Sequence, residues 1–228
     1  IVYTEYGGPD VLHLKEVDKP FPKDNEVLIK VHAVSVNFGD IIARNFKNVS
    51  PREFNMPFLF WIMARFAFGF SKPKKIVLGN GYTGEKMGAY AEYVCIPENG
   101  FLSAKPSNMS FEEASAVPYG ALMALCLLRK INIQNGQSVL VLGASGGIGS
   151  AAVQLAKHYF GATVTGVCST EGIEYVKTLG ADKVIDYKKE DYTKNREVYD
   201  LIFDVLGRGR FSQLKALLKQ NGIYFSVS

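Results

Sequence analysis

The 228-residue sequence is poor in cysteine, tryptophan and histidine, with three, one and three of them, and each shortage excludes something. Cys95, Cys126 and Cys168 lie far apart and form no CxxC pair, so neither a zinc ribbon nor a redox dithiol is written here. An odd, small cysteine count suits a reducing compartment, and a cytoplasmic location is expected. His13, His32 and His158 show no metal-ligand spacing. There is no long stripe of one charge: 26 Lys and Arg against 22 Asp and Glu leave a mild +4, which gives no footprint for nucleic acid. The densest basic cluster, Lys72, Lys74 and Lys75, is broken by Pro73 and reads as a solvated loop. Internal repeats and low-complexity tracts are absent. The opening Ile1-Val2-Tyr3 reads as a strand, not as a signal peptide.

What is present describes a globular protein, 47% hydrophobic and 21% charged. One apolar, aromatic segment stands out at 56–70. It is short for a membrane span and Arg65 interrupts it, so no span is expected. A helix or flap packed on the body is the plain reading. A lid over a substrate pocket or a membrane-facing patch is the sharper one.

The first half carries strand periodicity. Over 26–34, Val27, Ile29 and Val31 alternate with Leu28, Lys30 and His32, and 88–96 is rich in β-formers. The rhythm changes near Phe111. Ser110 is placed to cap a helix with Glu112 and Glu113 in its first turn, and 121–130 reads helical. After Gly136, strands at 138–142, 163–168, 183–186, 201–204 and 223–227 alternate with helical patterns, which predicts a parallel α/β sheet.

The central motif is a strand, 138–142, running into Gly143-Ala144-Ser145-Gly146-Gly147-Ile148-Gly149 and then a helix. Glycines there provide a tight turn, room for a pyrophosphate against backbone, and close packing of helix on strand. Amides at the helix start then meet the phosphates. No Gly-Lys-Ser/Thr ending follows, so this is not a mononucleotide P-loop. The second strand ends in Cys168-Ser169-Thr170, with no acid at its tip and Glu171 one step later. Small hydroxyls leave space for a 2′-phosphate, which favours NADPH over NADH, with Tyr187, Lys188 and Lys189 placed to add contacts.

Several stretches together resemble the zinc-independent quinone oxidoreductase branch of the medium-chain dehydrogenase/reductase superfamily. They are residues 6–12, 26–31 with 34–40, 88–94, 110–114, the glycine loop, and Leu179-Gly180-Ala181-Asp182. The resemblance implies a GroES-like β-rich substrate domain at 1–114 joined to a Rossmann-type, doubly wound parallel sheet at 115–228. It also implies a homodimer and a small carbonyl or quinone substrate. Asn37 stands where zinc alcohol dehydrogenases of that superfamily open their metal site with Cys, so no zinc is expected. Against the family pattern, some tens of residues are missing between Asn80 and Gly81, and the chain stops in the fifth strand. Met123 replaces a Thr near the nicotinamide, and Gly172 replaces a phosphate-binding Lys.

The expected chemistry is hydride transfer from NADPH to a quinone or to the β-carbon of an enone. Asn37 would hold the nicotinamide ribose or substrate oxygen, or act as a turn-capping amide. Asp40 would position that loop or N-cap the helix ahead of Ile41. Tyr82 and Tyr119 would be pocket walls or proton donors. Gly143, Ser145, Gly146, Gly147, Ile148, Gly149, Ser169, Thr170 and Tyr187 would bind the cofactor. A non-catalytic NADPH-binding sensor and a zinc-independent alcohol or aldehyde reductase are the alternatives. The short-chain dehydrogenase reading fails because its Tyr-x-x-x-Lys spacing occurs only at Tyr82 to Lys86, upstream of the glycines.

Overall fold

The structure is a computed structural model that describes residues 1–50, 58–73, 88–207, 209 and 211–227, without side-chain detail at 58, 60, 67 and 68. It divides into two compact units, Ile1–Ala116 and Val117–Ser228, two residues beyond the expected boundary at 114/115.

In the first unit, β1 (Glu26–Lys30) pairs antiparallel with β2 (Tyr93–Pro97), and Val2 bridges His13. The expected strands were longer. Past Val31, whose N–H still reaches the Glu92 carbonyl, no partner runs alongside among the described residues, and a strand pattern without a partner forms no ladder. Helix α1 (Phe38–Arg44) begins at Asn37. Helix α2 (Phe58–Phe68) falls within the aromatic segment and inverts the usual order. Arg65 is turned inward. Its guanidinium donates to the carbonyls of Lys47 (2.7 Å) and Phe70 (3.1 Å) and lies over the rings of Trp61 and Phe46. Leu59, Met63, Phe66 and Phe70 face outward instead.

The second unit carries the parallel sheet. Its strands are β3 (Ser138–Leu142), β4 (Thr163–Cys168), β5 (Lys183–Asp186), β6 (Tyr199–Asp204) and β7 (Leu218–Ser226), in the order β5-β4-β3-β6-β7. Every pairing in it is parallel. From β3 the chain winds outward through β4 and β5, then crosses back to β6 and β7, so the winding reverses between β3 and β6. Ligands of such sheets bind outside the carboxyl ends at that reversal. Strand starts and ends match the sequence reading except at β6, which starts two residues earlier, and at β7, which runs Leu218–Ser226 where 223–227 was expected. A register shift between Tyr199 and Leu201 and the left-handed Asn221 (φ 64°) accompany the longer β7.

The core is the apolar run expected of a doubly covered sheet. Val139, Val141, Val164, Ile202 and Phe203 have no exposed surface, and Ala124, Leu128, Ala152 and Val153 cover one face from the helices.

Helix α3 (Phe111–Val117) is capped as expected. The Ser110 hydroxyl accepts from the Glu113 N–H at 3.1 Å, and the Glu113 carboxylate accepts from the Ser110 N–H at 2.8 Å. The helix does not stop at 117. A π-helical turn, Pro118–Leu122, leads into α4 (Met123–Ile131), so the expected 121–130 helix is the second part of a longer one. Pro118 has no N–H for the α-helical bond, which gives the wider turn its cause. By length and composition Phe111–Ile131 could cross a membrane, although Ala124 and Leu128 within it are fully buried against the sheet layer.

At the top of β6, Asp204 is completely buried. Its carboxylate accepts the N–H groups of Leu206, Gly207 and Gly209, each at 3.0 Å, and the Tyr224 hydroxyl at 2.9 Å. Burial, with the hydrogen bond and charge of Asp204, pushes the Tyr224 phenol up to about 12. A raised phenol pKa contributes stability that is complete below pH ~10, the unfolded value, and is lost as pH rises toward 12. Tyr224→Phe is expected to cost roughly 1–3 kcal/mol at neutral pH, for one hydrogen bond to a charged group. It should also flatten the loss of stability between pH 10 and 12, as measured by urea unfolding across that range. An unchanged alkaline slope would show that Tyr224 does not carry it.

Candidate functional site

The glycine loop leaves β3 at the point where the winding reverses. Gly143 takes φ +79°, a left-handed conformation that disfavours side chains, and a Cβ there would lie 2.9 Å from Leu206. Its N–H and that of Ala144 both bond the Val167 carbonyl, tying the loop to β4. Gly146 caps helix α5 (Gly147–Gln154) with extended backbone. At Gly149 a Cβ would sit 2.0 Å from the Gly143 carbonyl oxygen, so the helix approaches the strand with nothing between them.

Gly147 differs from these. A Cβ there would meet nothing within 4 Å, and its φ is not positive. The protein's own packing does not demand glycine at this position. What it leaves is open space beside the first-turn amides of Gly147, Ile148 and Gly149, which have no acceptor inside the helix. Ser145, Gly146 and Gly147 are exposed, while Ile148 and Gly149 are buried, Ile148 in the core. This cradle fits a pyrophosphate: open backbone, free N–H groups and the positive end of a helix.

The end of β4 adjoins the cradle. A Cβ on Gly172 would lie 2.8 Å from the Ser145 Cβ, so the residue where the resembled family has Lys is held to glycine by the loop itself. Thr170 donates its hydroxyl to Asp186 at 2.6 Å. Glu171 is held down at about 2 by hydrogen bonds from Lys188, from backbone and from the Ser169 hydroxyl. The Tyr187 N–H bonds the Cys168 carbonyl and its ring is half exposed. Cys168 itself is buried, which together with Asp186 raises its thiol pKa.

Tyr119 lies in the π-turn beside Gly120, where a Cβ would be 2.5 Å from the Gly147 carbonyl oxygen. Tyr119 thus sits next to the cradle, partly buried against the sheet's helical layer. In the second unit, then, Gly143 to Gly149, Ser169, Thr170, Tyr187 and Tyr119 gather around the carboxyl ends of β3, β4 and β5.

Asn37 and Asp40 belong to the first unit. Asn37 is the N-cap of α1, and Asp40, for which the N-cap role was the alternative reading, is instead its third residue. Its carboxylate reaches back to the Asn37 N–H at 2.9 Å, because a carboxylate at that position satisfies an amide the helix cannot. The same carboxylate accepts the Tyr90 hydroxyl at 3.0 Å, which together with burial raises the Tyr90 phenol pKa. The Asn37 side-chain amide donates to Ser35 Oγ at 3.1 Å. Tyr82 lies outside the described residues. Sequence reasoning missed Asp204, Asp186 and Gly120. The two acids close buried apolar strands at the ligand edge of the sheet, a pattern that could have flagged them. Gly120 had no readable signal.

These features define a Rossmann-type α/β protein with a phosphate-ready loop at its switch point. The family described as zinc-binding dehydrogenase matches residues 147–228. Over 221 residues the chain is 36% identical to the 2-methylene-furan-3-one reductase of Solanum lycopersicum, covering 91% of this chain and 56% of the relative. It is 30% identical to the quinone oxidoreductase of Homo sapiens, with coverage of 96% and 69%. The solved quinone oxidoreductase of Thermus thermophilus, known also in complex with NADPH, superposes with TM-score 0.70 at 28% identity, covering 98% of this chain and 71% of that one. The chain belongs to the quinone oxidoreductase-like group of the medium-chain dehydrogenase/reductase superfamily. It spans about half to two thirds of the length of these curated relatives. The matched family's description names zinc, yet among the described residues no three His, Cys, Asp or Glu side chains group closely enough to hold a metal.

Two glycines separate scaffold from site. Gly149→Ala is expected to destabilise the protein by roughly 3 kcal/mol through forced overpacking. Gly147→Ala should change stability by less than about 1 kcal/mol and weaken dinucleotide binding by roughly tenfold or more. Thermal unfolding and calorimetric titration with NADPH check both. Unaltered NADPH binding by Gly147→Ala would remove the loop from the site.

Proposed function

We propose that the protein is a zinc-independent, NADPH-dependent oxidoreductase that transfers hydride to a quinone or an α,β-unsaturated carbonyl. The observation that carries this is the open Gly147 position beside the first-turn amides of α5, at the winding reversal of the sheet. The names of its relatives support the substrate class. A 2-methylene-furan-3-one has an alkene conjugated to a ketone, and the human relative is a quinone oxidoreductase. The NADPH complex of the Thermus thermophilus relative supports the cofactor, with NADH as the weaker partner.

Bound NADPH supplies the hydride, so the side chains have little covalent work to do. The amides of Gly147, Ile148 and Gly149 hold the pyrophosphate, and the tip of β4 receives the adenosine ribose. Asn37 holds the nicotinamide ribose or the substrate oxygen. Asp40 positions it by fixing its backbone, with Tyr90 donating to the same carboxylate oxygen. Tyr119 forms part of the wall beside the cradle, and Tyr82 is a second candidate donor of a proton or hydrogen bond. The domain assignment, 1–114 for substrate and 115–228 for cofactor, follows from this reading. So do a reducing, cytoplasmic setting, the absence of a membrane span, and a homodimer.

Steady-state NADPH oxidation by the intact protein with a panel of quinones and enones tests the reading. Turnover of at least one class is expected, with no stoichiometric zinc in the purified protein. Binding without turnover would favour an NADPH sensor instead. Asn37→Ser keeps a capping side chain and is expected to lower kcat/KM by roughly tenfold or more through loss of a polar contact to the reacting group. A change within twofold would remove Asn37 from the mechanism.

A further inference from the structure

A matched pair of charges lies just past the carboxyl ends of β4 and β5. Glu171 lies in the 3₁₀ turn Thr170–Gly172 that follows β4, and Lys188 follows β5, the neighbouring strand. Lys188 Nζ donates to both carboxylate oxygens of Glu171, at 2.7 and 3.0 Å. The next cation, Lys189, faces Asp186 at 3.8 Å, and Asp186 already accepts the Thr170 hydroxyl and the Lys188 N–H. Both lysines after β5 are thus countered by a carboxylate.

The two groups of the pair ask for opposite ligands. A ribose 2′-hydroxyl donates a hydrogen bond, and a carboxylate just past the second strand accepts it. A 2′-phosphate only accepts and is doubly negative. It takes a lysine and is repelled by the carboxylate. Position 172 supplies no cation, and a side chain there would press on Ser145. It can come from across the β4–β5 edge, where Lys188 is. Both members of the pair are exposed, at 48% and 71% of their side-chain surface. Such a pair is held weakly and is open to competition by a ligand.

Building on the NADPH reading above, we propose that Glu171 sets the cofactor preference of this protein: it holds Lys188 in the free chain, yields it to a 2′-phosphate, and itself takes a 2′-hydroxyl when the phosphate is absent. Glu171 is thus a specificity-determining residue that keeps the preference for NADPH smaller than Lys188 alone would make it.

The test is a set of dissociation constants at low ionic strength for the intact protein and for Glu171→Gln, Lys188→Gln and the double variant. The probes are NADPH, NADH, and the fragments 2′,5′-ADP and 5′-AMP, which separate the 2′-phosphate from the rest of the nucleotide. Glu171→Gln should bind NADPH and 2′,5′-ADP about 3–10-fold more tightly and NADH more weakly, as a freed lysine and a lost carboxylate predict. Lys188→Gln should weaken NADPH and 2′,5′-ADP by a similar factor. In the double variant the gain from Glu171→Gln should vanish. A thermal midpoint close to that of the parent in Glu171→Gln would show that the exposed pair acts on the ligand and not on the fold. If the intact protein binds NADPH but Glu171→Gln leaves the NADPH to NADH ratio within twofold, the role of Glu171 is overturned. The same holds if both constants move together with a lowered midpoint. If the intact protein binds neither dinucleotide, the functional reading beneath the proposal fails with it.

Discussion

The second unit depends on one contact that has no side chain in it. Helix α5 comes so near β3 that the Cβ of any other residue at 149 would lie 2.0 Å from the Gly143 carbonyl oxygen. That approach fixes where the helix starts and aims its first amides at the carboxyl edge of the sheet. It also lets Gly120 of the preceding helix rest on the Gly147 carbonyl. Strand order, switch point and glycine loop would each be present without this contact, but they would not converge on one place.

Asp204 plays a supporting part on the other side of the reversal. A fully buried carboxylate is costly unless its lone pairs are filled, and three backbone amides and a phenol fill them. In return Leu206, Gly207 and Gly209 are tied to the end of β6, with Leu206 lying against Gly143. The two loops that flank the reversal are therefore braced against each other.

Much of the second unit was legible in the sequence because its signals are local. Val139 to Leu142 is a continuous apolar run, and the glycines follow it at once. The first unit was less legible because its strands depend on partners distant in sequence. A period-two pattern at 26–34 shows which face is apolar, but not where the ladder ends. Asn37 and Asp40 were read as site residues with capping as their plain alternative. The structure shows the capping bond directly, with the roles arranged so that Asp40 serves Asn37. Arg65 read as an interruption of an apolar segment. It is instead the buried anchor of α2: two carbonyls accept from its two terminal nitrogens and two aromatic faces cover its guanidinium, which no carboxylate reaches among the described residues. The link between Gly172 and Ser145 was invisible, because 27 positions separate them and glycine gives no periodic signal.

The wide turn at Pro118–Leu122 has a bearing on how the chain tolerates length changes. An α-helix advances about 100° per residue, so a deletion there would rotate everything downstream by roughly that angle. Ala124 and Leu128 would swing out of the sheet layer, and Gly120 would no longer present its bare Cα to the glycine loop. Substitutions on the outward face of this helix leave that phase intact. A frame-preserving indel of one codon does not, and this short stretch is therefore among the least permissive to indels in the chain, although most of its side chains are not buried.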